Sequence, residues 1–166
     1  MRLYKALWMV AWYVLIRPFP RNSGNKWEIF LLKLFGAKIG NSCIFYSSAK
    51  IHIPKYLIVE DNVCIANNVQ MQNTAIIHIK SNVIISQGSY LCTGSHDIWH
   101  WDFAQYSKPI IVEQNVWIAA DCFVGPGVTI GEGAVLSART VIFESVKPWS
   151  VMTGNPGKFL IKRRIS

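Results

Sequence analysis

The sequence predicts an all-β solenoid, a parallel β-helix in which three short strands per coil form a triangular prism. The first observation is a six-residue period, in which an apolar residue recurs and a small or β-branched residue follows four places later. The second is that extra residues interrupt this period after every third hexapeptide, as expected for three sides and one repeated corner. The apolar positions expected to point inward are Ile39, Phe45, Ile51, Val59, Ile65, Met71, Ile79, Ile85, Leu91, Val112, Ile118, Val124, Ile130, Leu136 and Ile142.

An N-terminal helical segment, residues 1–38, is expected to cap the open end of the first coil. The pattern over residues 1–16 predicts one helix that ends before Pro18. Residues 27–35 predict a second helix with Gly36 as its C-cap. An uncovered first coil would expose unpaired strand edges, which a helical cap shields.

The first of these helices is expected to be buried or to lie at an interface, and its sequence leaves contact with a membrane surface open. Residues 6–16 form an apolar run of eleven residues flanked by Arg2, Lys5 and Arg17. This run is too short to span a bilayer, which takes about 20 residues, and no small-residue cleavage site follows it. Its aromatic residues and basic flanks are typical of helices that lie on a membrane, so residues 1–17 are candidates for peripheral contact.

The repeat is expected to occupy residues 39–147. Among the residues four places after each inward position, only Lys55 is neither small nor β-branched. After the third coil the period stops, and residues 97–110 predict an extended, irregular loop rich in aromatic residues. Residues 148–166 are expected to leave the prism as a basic tail.

Composition narrows the class of protein. The chain has 166 residues, of which 51% are hydrophobic and 16% charged, which favours one folded domain over disorder. The net charge of +8 favours anionic partners, but the basic residues are dispersed or C-terminal and form no nucleic-acid-binding motif. The four cysteines are far apart and include no CxxC pair, so we expect a reducing, cytoplasmic setting.

Four motifs resemble those of a known family. They are Gly-Ser-His-Asp at residues 94–97, Asn-Val-Trp-Ile-Ala-Ala at 115–120, Gly-Pro-Gly-Val-Thr-Ile-Gly at 125–131 and Gly-Asn-Pro-Gly-Lys at 154–158. Together they resemble the hexapeptide-repeat acetyltransferases, most closely the colanic-acid and exopolysaccharide O-acetyltransferases, which are related to the galactoside and maltose O-acetyltransferases. The resemblance implies a left-handed β-helix and a homotrimer that binds acetyl-CoA between neighbouring prisms. It also implies acetyl transfer to a sugar or glycan hydroxyl, in polysaccharide biosynthesis.

The resemblance makes His96 the candidate catalytic base. Imidazole accepts a proton near neutral pH, as removal of the acceptor hydroxyl proton requires. Asp97 is adjacent and is the candidate for orienting the imidazole ring. The family also implies that a backbone N–H of Ala119 or Ala120 stabilises the oxyanion. The sequence contains no Gly-x-Ser-x-Gly nucleophile motif, and direct transfer needs none.

Further positions are expected, by the same resemblance, to bind the two substrates. The expected acetyl-CoA contacts are Trp117, Ala119, Ala120, Gly125, Ser137, Ala138, Lys158 and Lys162. The expected acceptor contacts are Asn67, Asn68, Trp99, His100 and Trp101. Where the galactoside and maltose enzymes hold the acceptor with an asparagine one coil before the histidine, this sequence is aligned with Ala66, so we expect its acceptor recognition to differ.

Two alternatives remain open on the same scaffold. The γ-class carbonic anhydrases are hexapeptide prisms that bind zinc through three histidines, and His78, His96 and His100 could supply such a set. The transferase interpretation, in contrast, requires no metal. The second alternative is a non-enzymatic scaffold, for which the presence of His96 offers no support.

Overall fold

The computed structural model describes residues 2–18 and 25–165. Helix α1 (Arg2–Ala11) continues as a π-helical segment over Trp12–Ile16, and α2 (Asn25–Leu34) follows. Residue 1 of the first expected helix and residues 19–24 lie outside the described parts of the chain. Helix α2 ends one residue before the predicted end, and Gly36 then adopts a φ of +91° while the N–H groups of residues 36 and 37 bond back to residues 33 and 32.

Each coil adds one strand to each of three parallel sheets, named A, B and C in chain order. Sheet A contains β1 (Lys38–Ile39), β4 (Leu57–Val59), β7 (Ile77–Ile79), β12 (Ile110–Val112) and β15 (Thr129–Ile130). Sheet B contains β2 (Ile44–Phe45), β5 (Cys64–Ile65), β8 (Ile84–Ile85), β13 (Trp117–Ile118) and β16 (Val135–Leu136). Sheet C contains β3 (Lys50–Ile51), β6 (Gln70–Gln72), β9 (Tyr90–Cys92), β14 (Phe123–Val124) and β17 (Val141–Ile142). The corners are named AB, BC and CA after the sheets they join.

The core of the prism is the set of inward residues that the period predicted. All fifteen lie in strands and are buried, which confirms the predicted register. Side chains alternate between the two faces of a strand, so each short strand places its apolar residue inside and its neighbour outside. The stacked coils thereby bury one continuous apolar column.

The CA corner departs from the simple period. Lys55, Ala75 and Ser95 are not buried, although the period places them inside. The extra residues at this corner move the interior position to Ile53, Asn73 and Thr93, two residues earlier. The Asn73 amide satisfies the buried backbone, since its Nδ2 donates to Ile53 O at 2.7 Å and its Oδ1 accepts from Ile53 N–H at 2.9 Å.

Helix α1 lies across the first coil and is held there by two tryptophans. Trp8 Nε1 donates to Ile51 O at 2.6 Å, and Trp12 Nε1 donates to Ala49 O at 3.0 Å. Both indoles are buried, so each contributes a large apolar area while its N–H keeps a hydrogen-bond partner. Within the described residues, neither helix is long and apolar enough to cross a membrane.

Two segments differ from the sequence-based expectation. The expected irregular loop is partly ordered, because its β11 (Gln105–Ser107) pairs antiparallel with β10 (Gly94–His96), just before the loop, and the two strands form the site hairpin. The expected basic tail contains a second hairpin of β18 (Ser150–Thr153) and β19 (Lys158–Lys162), and β18 pairs in parallel with β16. Sheet B therefore extends past residue 147, because β18 satisfies the open edge of the fifth coil.

Candidate active site

The candidate site begins at the CA corner, where the site hairpin leaves the third coil. His96 is the last residue of β10 and pairs in register with Gln105 of β11. The Oγ1 of Thr74, one coil earlier, lies 2.7 Å from Ser107 Oγ, and Lys108 N–H donates to Thr93 O at 2.9 Å. These bonds tie the hairpin to the wall of the prism, and His96 lines a pocket together with Gln72, an outward residue of sheet C.

A backbone carbonyl sets the protonation pattern of the His96 ring. Nδ1 of His96 lies 2.6 Å from the carbonyl oxygen of Phe103 across the hairpin. A carbonyl oxygen only accepts, so Nδ1 carries the proton and donates it. In the neutral ring Nε2 then presents a lone pair, which is the arrangement that a general base requires.

Asp97 makes different contacts from those expected of it. Its Oδ1 accepts from the backbone N–H of Trp99 at 2.9 Å, and its own N–H donates to Ala104 O at 2.9 Å. These bonds shape the turn after β10, as aspartate side chains commonly do. Phe103, rather than Asp97, supplies the hydrogen bond to the imidazole in this structure.

A small polar pocket of about 130 Å³ lies beside His96. Its other lining residues are Gln72, Thr74, Gly94, Ser95, Gln105, Tyr106 and Ser107. The sequence analysis did not identify Gln72 and Thr74, although the number of residues per coil could have indicated them. Gln72 pairs with Cys92, so one coil at the CA corner spans twenty residues. Thr74 lies twenty residues before Gly94 and is therefore expected beside it in the previous coil.

The expected acceptor residues fall into two separate groups. Asn67 and Asn68 lie at the BC corner, where both bond to the Ser48 hydroxyl, and they are thus at the opposite edge of sheet C from His96. Trp99 and Trp101 lie at the tip of the site hairpin, 91% and 88% exposed. His100 lies between them and is hydrogen-bonded to Asp102.

The two alanines expected at the oxyanion site are not equivalent. Ala119 N–H donates to Leu136 O at 2.9 Å in the next coil, so this donor is already engaged. The N–H of Ala120 has no hydrogen bond within the described residues, while its carbonyl accepts from Arg139 N–H at 2.8 Å. Of the pair, Ala120 therefore retains a donor for a bound group.

Most of the expected acetyl-CoA residues share one edge of the prism. Ala119, Ala120, Ser137 and Ala138 follow sheet B strands in successive coils and form a column at the BC corner. The side chain of Trp117 points outward from β13 beside this corner, and its Nε1 donates to Ser86 Oγ at 3.0 Å. The column presents small side chains that leave room for a ligand to approach the backbone.

The remaining expected acetyl-CoA residues lie elsewhere. Lys158 and Lys162 are exposed at the two ends of β19. Gly125 follows β14 at the CA corner, where an added Cβ would lie 2.7 Å from Phe143 Cδ1. Packing against Phe143 alone therefore accounts for glycine at this position.

The three histidines of the carbonic anhydrase alternative have separate surroundings. His78 Nε2 lies 3.0 Å from Glu60 Oε1 on the outer face of sheet A, away from His96 and from His100 at the hairpin tip. Across residues 2–18 and 25–165, no group of three or more His, Cys, Asp or Glu residues is arranged to hold a metal ion.

Comparison with known proteins identifies relatives across the chain. The family model described as bacterial transferase hexapeptide (six repeats) matches residues 109–144. The putative colanic acid biosynthesis acetyltransferase WcaF of Escherichia coli is 41% identical over 138 residues, which cover 83% of this chain and 76% of the relative.

Two solved structures share the fold. A galactoside acetyltransferase in complex with coenzyme A superposes with a TM-score of 0.88 at 21% identity, covering 98% of this chain and 82% of the other. A hexapeptide-repeat acetyltransferase of Vibrio cholerae, complexed with acetyl coenzyme A, gives a TM-score of 0.84 at 23% identity, covering 99% and 87%. The solenoid, of five full coils extended on sheet B by β18, thus matches the left-handed β-helix that the resemblance implied. With its identity to WcaF over more than two thirds of both proteins, the chain belongs to the hexapeptide-repeat acetyltransferases and is an acyltransferase.

Proposed function

We propose that the protein is an acetyl-CoA-dependent O-acetyltransferase that acetylates a sugar hydroxyl during the synthesis of a surface polysaccharide. The identity to a colanic acid biosynthesis acetyltransferase supports the substrate class. The observation that carries the mechanism is the bond between His96 Nδ1 and Phe103 O, which leaves Nε2 free to accept a proton. The polar pocket beside the imidazole supports binding of a hydroxylated acceptor there.

The reaction is direct transfer. Nε2 of His96 removes the proton of the acceptor hydroxyl as that oxygen attacks the thioester carbonyl carbon. Ala120 N–H stabilises the oxyanion of the tetrahedral intermediate. The carbon–sulfur bond then breaks, the ester remains on the sugar, and the imidazolium returns its proton to the CoA thiolate.

The working unit in this proposal is a homotrimer. His96 is at the CA corner, whereas Ala120 and the column of small residues are at the BC corner. Because one protomer presents these groups at opposite edges of sheet C, acetyl-CoA at the BC corner of one copy meets His96 of a neighbour. Lys158 and Lys162 supply charge for the CoA phosphates, and Trp99, His100 and Trp101 contact the acceptor, with Asn67 and Asn68 farther along the seam.

Replacement of the base tests this mechanism. With acetyl-CoA and candidate glycans, we expect mass spectrometry to show an acetyl mass gain that falls by about 10²- to 10⁴-fold in His96→Ala. His78→Ala is the matched control, since His78 lies on sheet A and bonds to Glu60. Equal acetylation by the wild-type protein and His96→Ala would exclude His96 as the base.

We also propose that the N-terminal helices contact the inner face of the membrane. Trp8, Trp12 and Ile16 are buried, while a second apolar row of α1 at helical spacing is exposed. The exposed apolar residues of the two helices include Leu3, Leu7, Val10, Val14, Trp27, Phe30 and Leu34. Exposed basic residues accompany this surface, and Glu28, the single carboxyl within the described helical residues, is buried. An apolar surface with basic and no acidic side chains fits an anionic lipid bilayer.

Vesicle sedimentation tests this contact. We expect the protein to sediment with vesicles containing anionic phospholipid and less with zwitterionic ones, and the double variant Leu7→Gln, Val14→Gln to remain in solution. Ile84→Gln, which changes an exposed apolar residue of sheet B, is the control and should sediment like the wild type. Equal sedimentation of the double variant and the control would contradict the proposal.

A further inference from the structure

A second cavity lies on the outer face of sheet C and adjoins the pocket beside His96. Its volume is about 220 Å³, against about 130 Å³ for the first pocket. The residues that line it are Lys50, His52, Gln70, Met71, Gln72 and Tyr90. Gln72 lines both cavities, so together they form one groove, the sheet C groove, which runs from the first coil to the site hairpin.

The far end of the sheet C groove is basic. Lys50 projects from β3 and lines this end of the groove together with His52. Burial, and then the charges of Lys5 and Lys50, lower the pKa of His52. At neutral pH the groove therefore offers the ammonium group of Lys50 and the N–H of a neutral imidazole, and no carboxylate is among the residues lining either cavity.

The amide side chains between the two ends are suited to a sugar. Gln70 and Gln72 occupy outward positions of the same strand, and Gln72 is hydrogen-bonded to the Tyr90 hydroxyl. Amide groups both donate and accept hydrogen bonds, as recognition of sugar hydroxyls requires. A ligand lying in the groove would thus meet the ammonium group of Lys50 first, then the amides, then the imidazole of His96.

From this order of groups we propose that the acceptor carries a phosphoryl group, which the groove binds at Lys50 and His52 while the sugar reaches His96. The identity of the molecule as an acetyl acceptor rests on the proposed function, whereas the anion site rests on the groove alone. Nucleotide-linked and lipid-linked sugars share this chemistry, because each joins the sugar to a phosphate or diphosphate. A neutral sugar lacks the group that the basic end would bind.

Direct binding tests the anion site without reference to catalysis. We expect calorimetric titration with inorganic pyrophosphate to show binding that weakens with added salt and falls about tenfold in Lys50→Gln. Lys147→Gln, an exposed lysine at the other end of the prism, carries the same change of charge and should bind like the wild type. Absence of binding to the wild-type protein, or equal loss in both variants, would overturn the anion site.

Transfer assays test which acceptor uses it. A neutral sugar, its 1-phosphate, a nucleoside diphosphate sugar and a polyprenyl diphosphate sugar are compared with acetyl-CoA as donor. We expect a phosphorylated acceptor to have the higher kcat/KM, and Lys50→Gln to raise the KM of that acceptor while the KM of acetyl-CoA is unchanged. Preference for the neutral sugar would overturn the acceptor assignment. Failure of all transfer would contradict the proposed function and leave the pyrophosphate result standing.

Discussion

The carboxyl group of Glu28, which lies outside the candidate site, is buried without a hydrogen-bond partner for one of its oxygens in the part of the chain that the structure describes. Its side chain on α2 is only 3% exposed, and Oε2 has no hydrogen-bond partner within the described residues. Burial raises the pKa of Glu28 to about 8, because a charged carboxylate is poorly solvated there. The carboxyl is therefore protonated at neutral pH, and the helical cap carries no exposed negative charge on its described helices.

This pKa predicts how stability depends on pH. Between the usual glutamate pKa of 4.5 and the folded value of about 8, the folded state binds more protons than the unfolded state. The free energy of unfolding should therefore fall as pH rises, by up to about 1.4 kcal/mol per pH unit, and level off above the folded pKa. Urea unfolding at several pH values measures this slope.

Glu28→Gln should remove most of that dependence, because an amide keeps the shape of the side chain and does not ionise. Glu144→Gln is the matched control, since Glu144 is exposed and its change should leave the slope in place. A slope that survives in Glu28→Gln would assign the pH dependence to another group.

At the scale of elements, a hydroxyl pair holds the hairpin that presents His96. Thr74 Oγ1 bonds to Ser107 Oγ at 2.7 Å and lies 3.3 Å from Thr93 Oγ1 at the buried corner. An added Cβ at Gly94 would lie 3.0 Å from Thr74 Oγ1, so the hairpin approaches the prism wall closely at this point. We therefore expect the position of the hairpin, and with it that of His96, to depend on Thr74.

Thr74→Val should lower kcat by about tenfold, because it keeps the volume of the side chain and removes the bond that positions the hairpin. Thr74 touches no reacting atom in this scheme, so the KM for acetyl-CoA should stay the same. Thr129→Val, on the outer face of sheet A, is the control and should retain full activity. A matching loss of kcat in both variants would indicate a general effect of the substitution rather than positioning.

A column of asparagines shapes the AB corner in a similar way. Asn62, Asn82 and Asn115 have φ values of 58°, 60° and 60°, and their side-chain amides bond from coil to coil at 3.3 Å. Asparagine tolerates this left-handed conformation better than other residues with a Cβ. The stacked amides link three coils along this corner.

Asn82→Ala should lower the free energy of unfolding by about 1–2 kcal/mol, since alanine strains the backbone and loses both amide bonds. Asn82→Gly relieves the strain and should cost less. Thermal or urea unfolding of the two variants separates the backbone effect from the hydrogen bonds, and equal losses would assign the whole effect to the amides.

At the scale of the whole molecule, the decisive feature is the separation of His96 from the BC corner. A prism places successive corners on different edges, and no bend within one protomer can join them while the sheets remain paired. A cyclic assembly brings one corner of each copy against a different corner of its neighbour. In the proposed trimer each active site is therefore shared by two copies.

Mixed trimers test this arrangement. His96→Ala and Ala138→Trp should each abolish activity as pure trimers, the second by filling the acetyl-CoA side of the seam. Co-refolded in equal amounts, they should regain about a quarter of wild-type activity, because random assembly pairs an intact His96 with an intact Ala138 at that frequency. Light scattering after size-exclusion chromatography checks the trimer, and mixtures with no activity would place the site within one protomer.

The six-residue period alone predicted the path of the chain through the prism, because the contacts of a solenoid are local. Each coil contacts only the coils before and after it, so the same residue of every hexapeptide must point inward. The period did not predict the packing at the CA corner, because the inserted residues move the interior position from Lys55 to Ile53. The period did not predict the site hairpin either, because pairing of residues 94–96 with 105–107 depends on Thr74, one coil away in space.

The sequence by itself determined the solenoid, the inward residue of each strand and the family to which the chain belongs, together with His96 as the candidate base. Only the tertiary structure decided that Phe103 holds the imidazole, that Leu136 occupies the N–H of Ala119, and that a cavity lined by Lys50 and His52 adjoins the pocket beside His96. A repeat consists of particular residue types at fixed spacing along the chain, so the sequence alone specifies it. The partner of a particular N–H or ring nitrogen depends on which distant segment lies within about 3 Å of it, and spacing along the chain does not specify that.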